Sequence, residues 1–208
     1  SNWSIPVVVT TNNSIITIAI SSGESHSLAL KSDGTVWSWG NNTYGQLGDK
    51  TTIDKISPVK IDDLTSITEI SAGAYHNLAL GYGGTVYSWG YNGYGQLGDN
   101  STINKLAPFT VKNLPQAVSI SAGYFHSMSL NPIDGTVNAW GYNSDGQLGE
   151  NSNTNRLVPY QVSLVKNITS ISAGGYHSIA LNRDGTVLTW GYNGNGELGD
   201  GTTQKKKI

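Results

Sequence analysis

The sequence contains the same motif four times, at intervals of 50 or 51 residues. Each copy opens with a glycine that precedes a histidine by three residues, and a Trp-Gly pair follows the histidine. A fixed period of this length is typical of solenoids, propellers and repeat arrays, in which each copy folds into one supersecondary unit. Such proteins mostly present binding surfaces, so the repeat favours a binding protein over an enzyme. The opening glycines are Gly23, Gly73, Gly123 and Gly174.

The pattern inside each copy predicts four short strands. In the second copy, residues 66–71, 76–80 and 85–89 alternate apolar and polar side chains, which is the period of a half-buried strand. A fourth segment, 107–111, contains a proline near its start, which suits a sheet edge where a backbone donor is not needed. We therefore expect a four-stranded antiparallel meander in each copy.

The turns support this interpretation. Three copies carry an Asp-Gly pair between the second and third segments, and Asp-Gly between alternating segments is a strong hairpin signal. Four short strands repeated radially are the pattern of a propeller. We predict an all-β fold, a β-propeller built from four blades of about 50 residues per chain. The alternation of period two and the glycine content exclude a solenoid of helical pairs.

We expect one domain of four repeats, roughly 11–60, 61–110, 111–161 and 162–208, together with an N-terminal strand over 5–10. That strand resembles the fourth segment of a repeat, whereas the last repeat lacks its fourth segment. The two ends are therefore complementary. Three arrangements fit: a self-closed four-blade monomer, a fragment of a larger ring, and two chains that exchange strands to close an eight-bladed ring. We favour the homodimer, because unpaired strand edges promote association.

Composition narrows the partners. Twelve Lys and Arg against fourteen Asp and Glu give a net charge of −2, and no basic patch appears before the last residues. Because nucleic acid binding needs clustered basic residues, we expect no nucleic acid partner. No apolar run approaches the length that spans a membrane, so we expect no membrane partner. The similarity of the copies favours a soluble bacterial protein, with the cytoplasm and secretion both open.

Four segments recur in register: Ser-Ala-Gly-x-x-His-Ser-x-Ala-Leu, Asp-Gly-Thr-Val, Trp-Gly and Gly-Gln-Leu-Gly-Asp. This pattern resembles the regulator of chromosome condensation repeat family and covers essentially the whole chain. The resemblance implies a β-propeller, usually of seven blades. It also implies protein binding and, in some members, guanine-nucleotide exchange on a small GTPase by means of a wedge insertion. This chain has four units and no insertion that resembles the wedge.

One histidine occupies the same position in each copy. A ring of imidazoles could bind a metal near the axis, but a metal needs ligands that converge within a few ångströms. We interpret these residues instead as structural, each buried and hydrogen-bonded to loop backbone after the Ala-Gly turn, and we expect no metal site. The four residues are His26, His76, His126 and His177.

The tryptophans of the Trp-Gly pairs stand at predicted strand ends. We expect them to pack between adjacent blades, with the indole donor satisfied at the rim. A stacking platform for bases or sugars is the alternative. These residues are Trp39, Trp89, Trp140 and Trp190.

No catalytic motif is present. The sequence contains no Gly-x-Ser-x-Gly elbow, no phosphate-binding Walker loop and no His-Glu-x-x-His motif. Serine follows histidine in three copies, but adjacent strand residues point to opposite faces and cannot form a relay. Loops 143–146 and 193–197 have too few acids for calcium. We expect no catalytic residue, no cofactor and no enzymatic activity.

The positions that differ between copies carry most of the functional information. The first and third connections of a meander lie on one face, and aromatic residues on the loops of a rigid scaffold are typical of recognition surfaces. The alternative is that the rings cover the blade tops and pack on each other. The candidate partner-binding residues are Tyr44, Tyr75, Tyr94, Tyr124, Phe125 and Tyr176.

The functional hypothesis is a non-catalytic scaffold that presents one loop face to a protein or peptide. A glycan-binding module is the second hypothesis, because Tyr, Trp, Asn and Asp on loops also suit sugars. Nucleotide exchange on a small GTPase is a third and follows from the resemblance alone.

Overall fold

The computed structural model describes residues 15–207, which form fifteen β-strands and no helix. The strands are arranged in four sheets with sequential order: β1-β2-β3-β4, β5-β6-β7-β8, β9-β10-β11-β12 and β13-β14-β15. All strand pairs are antiparallel, as a meander requires. The all-β propeller fold predicted from the repeat is therefore confirmed, with one sheet for each copy of the motif.

The strand bounds repeat with the sequence motif. The first blade comprises β1 (Thr17–Ser22), β2 (His26–Lys31), β3 (Val36–Gly40) and β4 (Lys55–Lys60). The second comprises β5 (Ile67–Ala72), β6 (His76–Gly81), β7 (Val86–Gly90) and β8 (Lys105–Thr110). The third comprises β9 (Ser119–Ala122), β10 (His126–Leu130), β11 (Val137–Gly141) and β12 (Arg156–Gln161). The last comprises β13 (Ile168–Ala173), β14 (His177–Asn182) and β15 (Val187–Gly191).

The hairpin between the second and third strands forms where the Asp-Gly pair predicts it. Gly34 has a φ of 77°, a left-handed conformation that a Cβ disfavours. The Asp33 carboxylate accepts from the Thr35 backbone N–H at 3.0 Å and fixes the turn. These hairpins lie on one end of the blades, so the Ala-Gly turns and the long third connections lie together on the other end.

The outermost strand of a blade carries the proline. Pro58, Pro108 and Pro159 lie in β4, β8 and β12, each of which pairs with one strand only. The missing backbone donor therefore faces away from the sheet, as an edge position allows.

Within residues 15–207 the structure contains no helix that is long and apolar enough to cross a bilayer.

The hydrophobic core lies between consecutive blades rather than inside one. Leu28 and Leu30 of the first blade pack with Ile67, Ile70 and Trp89 of the second, and all five are buried. Equivalent positions form the core of the next two junctions, with Ala117 in place of Ile67 at one and Met128 in place of Leu28 at the other. Because burial of large apolar side chains is the main stabilising term in folding, a blade is held chiefly by its neighbours.

The first and last blades expose positions that are buried in the middle of the array. Ile20 is 78% exposed, whereas its equivalent in the second blade, Ile70, is 8% exposed. At the other end, Val187 is 60% exposed and its equivalent Val36 is fully buried. The last sheet has three strands, to which Lys206 adds a single bridge with Gly191. The expected strand over 5–10 lies outside the described residues.

Candidate partner-binding face

The Ala-Gly turns of successive blades form a hydrogen-bonded ladder around the axis. The backbone N–H of Glu24 donates to Ala74 O at 3.1 Å, that of Ala74 to Tyr124 O at 3.3 Å, and that of Tyr124 to Gly175 O at 3.1 Å. A side chain at Gly73 would overlap the carbonyl of Gly123, so only glycine allows this approach. The turns line a depression of about 280 Å³.

An asparagine organises each long third connection. Asn92 is fully buried, and its Nδ2 donates to Asp99 Oδ1 at 2.9 Å, to Ser101 O at 3.1 Å and to Ile103 O at 3.2 Å. Its Oδ1 accepts from the Leu97 backbone N–H at 3.0 Å. One side chain thus connects both limbs of the loop. The equivalent residues are Asn42, Asn143 and Asn193.

The acidic residue of the Gly-Gln-Leu-Gly-Asp segment completes the loop. Asp99 accepts from the Ser101 backbone N–H at 3.0 Å and pairs with Lys105 at 2.9 Å. Although burial opposes it, the hydrogen bonds and this ion pair lower the pKa of Asp99. Glu150 takes the same place in the third blade, where it accepts from the Ser152 hydroxyl and pairs with Arg156. The loops are therefore rigid supports for the side chains at their tips.

Aromatic side chains from these rigid loops and from the Ala-Gly turns form a continuous layer. Tyr44 of the first blade contacts Tyr75 of the second, with ring centroids 5.4 Å apart, and Tyr94 contacts Tyr142 at 4.9 Å. Most of the pairs are edge-to-face, the arrangement that aromatic quadrupoles favour. We call this layer the aromatic face: Tyr44, Tyr75, Tyr91, Tyr94, Tyr124, Phe125, Tyr142 and Tyr176.

The rings pack on each other and also reach solvent. Seven of the eight are half-buried and Tyr124 is exposed. The rings therefore pack on each other, as one interpretation of the sequence expects, while part of each ring stays exposed; recognition of a partner by these residues stays a prediction. A hydrogen bond to Glu24 raises the pKa of Tyr75 and burial raises that of Tyr176, so these two hydroxyls stay protonated at neutral pH.

All six candidate residues lie in the aromatic face, but sequence reasoning missed the other two residues of that face, Tyr91 and Tyr142, and the nearby Tyr192. Tyr91, Tyr142 and Tyr192 directly follow the Trp-Gly pair in the last three copies, where the first copy has Asn41. The signal was available, because this position also varies between copies. Tyr91 and Tyr142 contact neighbouring rings, and Tyr192 lines the same surface.

A depression of about 360 Å³ lies at the aromatic face, over the second, third and fourth blades. We call it the aromatic basin; it is lined by Tyr94, Phe125, Tyr142, Asp145, Tyr176 and Tyr192. Asp145 is its one carboxylate. A wider depression of about 550 Å³ lies beside the outer strands, around Lys105 and Phe109, and shares no residue with the basin.

The histidines make hydrogen bonds that differ from expectation. His76 Nε2 lies 3.0 Å from Ser127 Oγ of the next blade, and His26 Nε2 lies 2.7 Å from Asn77 Oδ1. The partner is therefore a side chain of the neighbouring blade and not loop backbone, because each ring points across the blade junction. Burial lowers the pKa of His76 and His126 to about 3.

The His76–Ser127 contact brings a hydroxyl and an imidazole together, which adjacent residues of one strand cannot do. The Ser127 hydroxyl donates to Gln96 O at 2.8 Å, so it accepts from His76, whose proton is on Nε2. Both side chains are fully buried. This arrangement connects two blades and does not expose a nucleophile. Residues 15–207 contain no group of three metal-ligating side chains placed to hold an ion.

The tryptophans complete the same junction. Trp140 is fully buried and donates from Nε1 to Gln96 O at 2.8 Å, the carbonyl that also accepts from Ser127. Trp89 and Trp190 donate in the same way to Gln46 O and Gln147 O. Trp39 of the first blade is half-buried. His177 of the last blade is half-buried as well.

The comparisons with known proteins point in one direction. The family described as RCC1-like domain matches residues 2–208. Mouse E3 ubiquitin-protein ligase HERC2 is 45% identical over 53 residues, which are 26% of this chain and 1% of that protein. The ultraviolet-B receptor UVR8 of Arabidopsis thaliana is 44% identical over 50 residues, 24% of this chain and 11% of that protein.

Solved structures match over a longer range. Yeast RCC1 (Prp20), in its structure with Kap60, superimposes with a TM-score of 0.85 at 25% identity, over 96% of this chain and 49% of that chain. Human WBSCR16 superimposes with a TM-score of 0.81 at 25% identity, over 92% of this chain and 52% of that chain. The chain thus spans about half the length of these propellers and a small part of the curated relatives.

Proposed function

This chain belongs to the RCC1-like domain family, and from that premise we propose that it is a non-catalytic interaction scaffold whose aromatic face binds a protein or peptide. The single observation that carries the proposal is the aromatic face itself. It unites rings from four blades on loops that buried asparagines hold rigid.

The composition of this surface suits protein recognition. Tyrosine supplies large apolar contact area, a polar tip and little conformational entropy to lose, and it is enriched in protein interfaces. Because the rings already pack against one another, the surface is preformed. Binding a partner therefore costs less free energy for the ordering of these side chains. Relatives give independent support of a coarser kind. One solved structure shows yeast RCC1 with Kap60, and another concerns the binding of that protein to Gsp1p and histones.

A peptide-display experiment tests this proposal. Peptides selected on the wild-type chain should lose at least tenfold in affinity for a variant that combines Tyr75→Ala, Phe125→Ala and Tyr176→Ala, since each interface anchor typically contributes a tenfold effect or more. Tyr82→Ala is the matched control, because Tyr82 is exposed on the opposite hairpin end.

The β-sheet circular dichroism of the triple variant should be unchanged. Loss of folding would assign the rings a structural role. Failure to select any peptide, or equal binding by the triple variant, would contradict the proposal. A glycan array and a nucleotide-release assay on a small GTPase, run with the same variants, decide the two alternatives: a signal that the triple variant loses would favour a glycan or a GTPase as the partner.

We also propose that the chain self-associates through the faces that the first and last described blades expose around Ile20 and Val187. These faces are complementary halves of the junction found three times inside the chain. On the first blade, Ser27 occupies the position that accepts a hydrogen bond from histidine, and Trp39 the position that donates to a backbone carbonyl. On the last blade, His177 and the Glu197 carbonyl occupy the matching positions of the other half. A second copy could therefore bring its own Ser27 to His177 and cover Ile20 and Val187.

Sedimentation measures this association directly. We expect a particle of twice the 22.1 kDa chain mass. Ile20→Asp or Val187→Asp should return it to the monomer, because either change puts a charge into an apolar junction. Ile133→Asp, at an exposed hairpin position, should leave the mass unchanged. A wild-type chain that sediments as a monomer would contradict the association without affecting the peptide-binding proposal.

A further inference from the structure

We propose that the aromatic basin receives a cationic side chain, an arginine or lysine of the protein partner, with Asp145 as its counter-ion. This inference rests on the proposed function and names the chemistry that the partner must present.

The basin has the composition of a cation-binding cage. Five aromatic rings from three blades surround one carboxylate in a space of about 360 Å³. The faces of aromatic rings carry negative potential and attract an ammonium or guanidinium group placed over them. A carboxylate beside those rings adds charge-assisted hydrogen bonds, which a guanidinium makes in pairs. Neutral apolar ligands would gain nothing from Asp145 and would leave it desolvated.

The chain itself already places a cation on this carboxylate. Lys205 Nζ lies 2.5 Å from Asp145 Oδ1. The side chain of Asp145 is 14% exposed and that of Lys205 is 54% exposed. The carboxylate is thus fixed in the wall of the basin, while the ammonium group approaches from solvent on a long side chain. Because this ammonium group is exposed on a flexible side chain, an incoming cation can displace it from Asp145 and take its place.

The loop end of the blades carries more carboxylates than its ion pairs neutralise. The four acids of the Gly-Gln-Leu-Gly-Asp segments are neutralised by basic residues of or near the outer strands: Asp49 by Lys55, Asp99 by Lys105, Glu150 by Arg156 and Asp200 by Lys206.

Three further carboxylates on these loops and turns, Glu24, Asp54 and Glu197, have no ion-pair partner within residues 15–207. Lys50 pairs with Asp63 at 3.0 Å, whereas Lys207 lies against Gly146, beside Asp145, and has no ion-pair partner within residues 15–207. Three unpaired carboxylates therefore outnumber this one unpaired ammonium group, and the face attracts a basic partner and repels an acidic one.

The test uses two small probes that differ in charge and little in shape, N-acetyl-arginine methylamide and N-acetyl-citrulline methylamide. Their dissociation constants are measured by following the tyrosine ring signals of the full chain in NMR titrations. We expect the arginine probe to bind about tenfold more tightly, the ratio that one charge-assisted hydrogen bond together with a cation–π contact supports.

Two substitutions locate the effect. Asp145→Asn should reduce the preference for arginine to about twofold, and Lys205→Gln should strengthen arginine binding about threefold by freeing the carboxylate, without changing citrulline binding. Asp134→Asn, on the opposite hairpin end, is the matched control and should change neither.

Equal binding of the two probes, or an arginine preference that survives Asp145→Asn, would overturn the inference. Those outcomes leave the proposed function intact if the displayed peptides still depend on the aromatic face. If no displayed peptide depends on that face, the proposed function fails, and an arginine preference that still requires Asp145 would then describe a small-ligand site.

Discussion

Lowering the pH from 7 to 5 should reduce the free energy of unfolding by on the order of 4 kcal/mol. The cause is the pair of fully buried histidines, His76 and His126. Burial, with a smaller contribution from the neighbouring histidines, lowers the pKa of each from 6.5 to about 3. Few single-domain proteins can lose this much without a large shift of the unfolding midpoint.

The sign follows from which state binds the proton. Between pH 6.5 and about 3 the folded chain keeps these imidazoles neutral, while the unfolded chain protonates them. Unfolding therefore takes up two protons in this window, and stability falls as the pH falls. The carboxylates with lowered pKa, such as Asp49 and Asp99, lose their contribution only below about pH 4. The raised pKa of Glu69 acts in the opposite direction.

Urea unfolding, followed by the fluorescence of the buried tryptophans, measures the effect at pH 5, 6 and 7. The double variant His76→Gln, His126→Gln provides the control, since glutamine can still donate to the serine hydroxyl but does not titrate. Its stability should change far less with pH. A wild-type chain with constant stability from pH 7 to 5, or a double variant with the same pH dependence, would show that these histidines are not the cause.

Asn92→Asp should destabilise the second blade by about 3–5 kcal/mol, the effect of leaving a buried charge uncompensated. The substitution replaces an amide, whose two N–H groups are shared among four acceptors, with a carboxylate of the same shape. The new charge faces the Asp99 carboxylate and two backbone carbonyls, and the repulsion opens the loop.

The measurement is again denaturant unfolding, with Asn113→Asp as the control because Asn113 is an exposed turn residue. Adding Asp99→Asn to the Asn92→Asp variant should recover part of the loss, since the donor and acceptor are then exchanged. If Asn92→Asp is as stable as wild type, the amide network does not hold the loop. If the second change fails to help, steric damage and not charge explains the loss.

The blade could be predicted from the sequence because its signals are local. Alternation of period two, an Asp-Gly pair and an edge proline such as Pro108 each act within a few residues. Because the motif recurs four times, a correct assignment of the strands in one copy also gives the strands of the other three. The position of the candidate residues on a single face, Tyr75 and Tyr94 among them, followed from the reversal of chain direction at each strand.

The junction between blades could not be predicted in the same way. His76 and Ser127 are 51 residues apart, and no local pattern indicates which side chain a buried imidazole meets. The asparagine at the centre of each loop was missed for another reason. Asn92 lies in a Gly- and Asn-rich segment that reads as a generic turn, and its role emerges only when two distant limbs of the loop converge on one amide.

The junctions also determine how such a molecule can change size. Each is made of two unlike halves, a carbonyl such as Gln96 O on one unit and the donors Trp140 and Ser127 on the following one. A duplication that inserts a complete repeat adds one acceptor half and one donor half, so every buried donor keeps its acceptor. The array of blades can then lengthen by one unit without any compensating substitution at its junctions, whereas a partial insertion would leave a buried donor without an acceptor. Gene duplication at this period is accordingly a step the fold tolerates from the start.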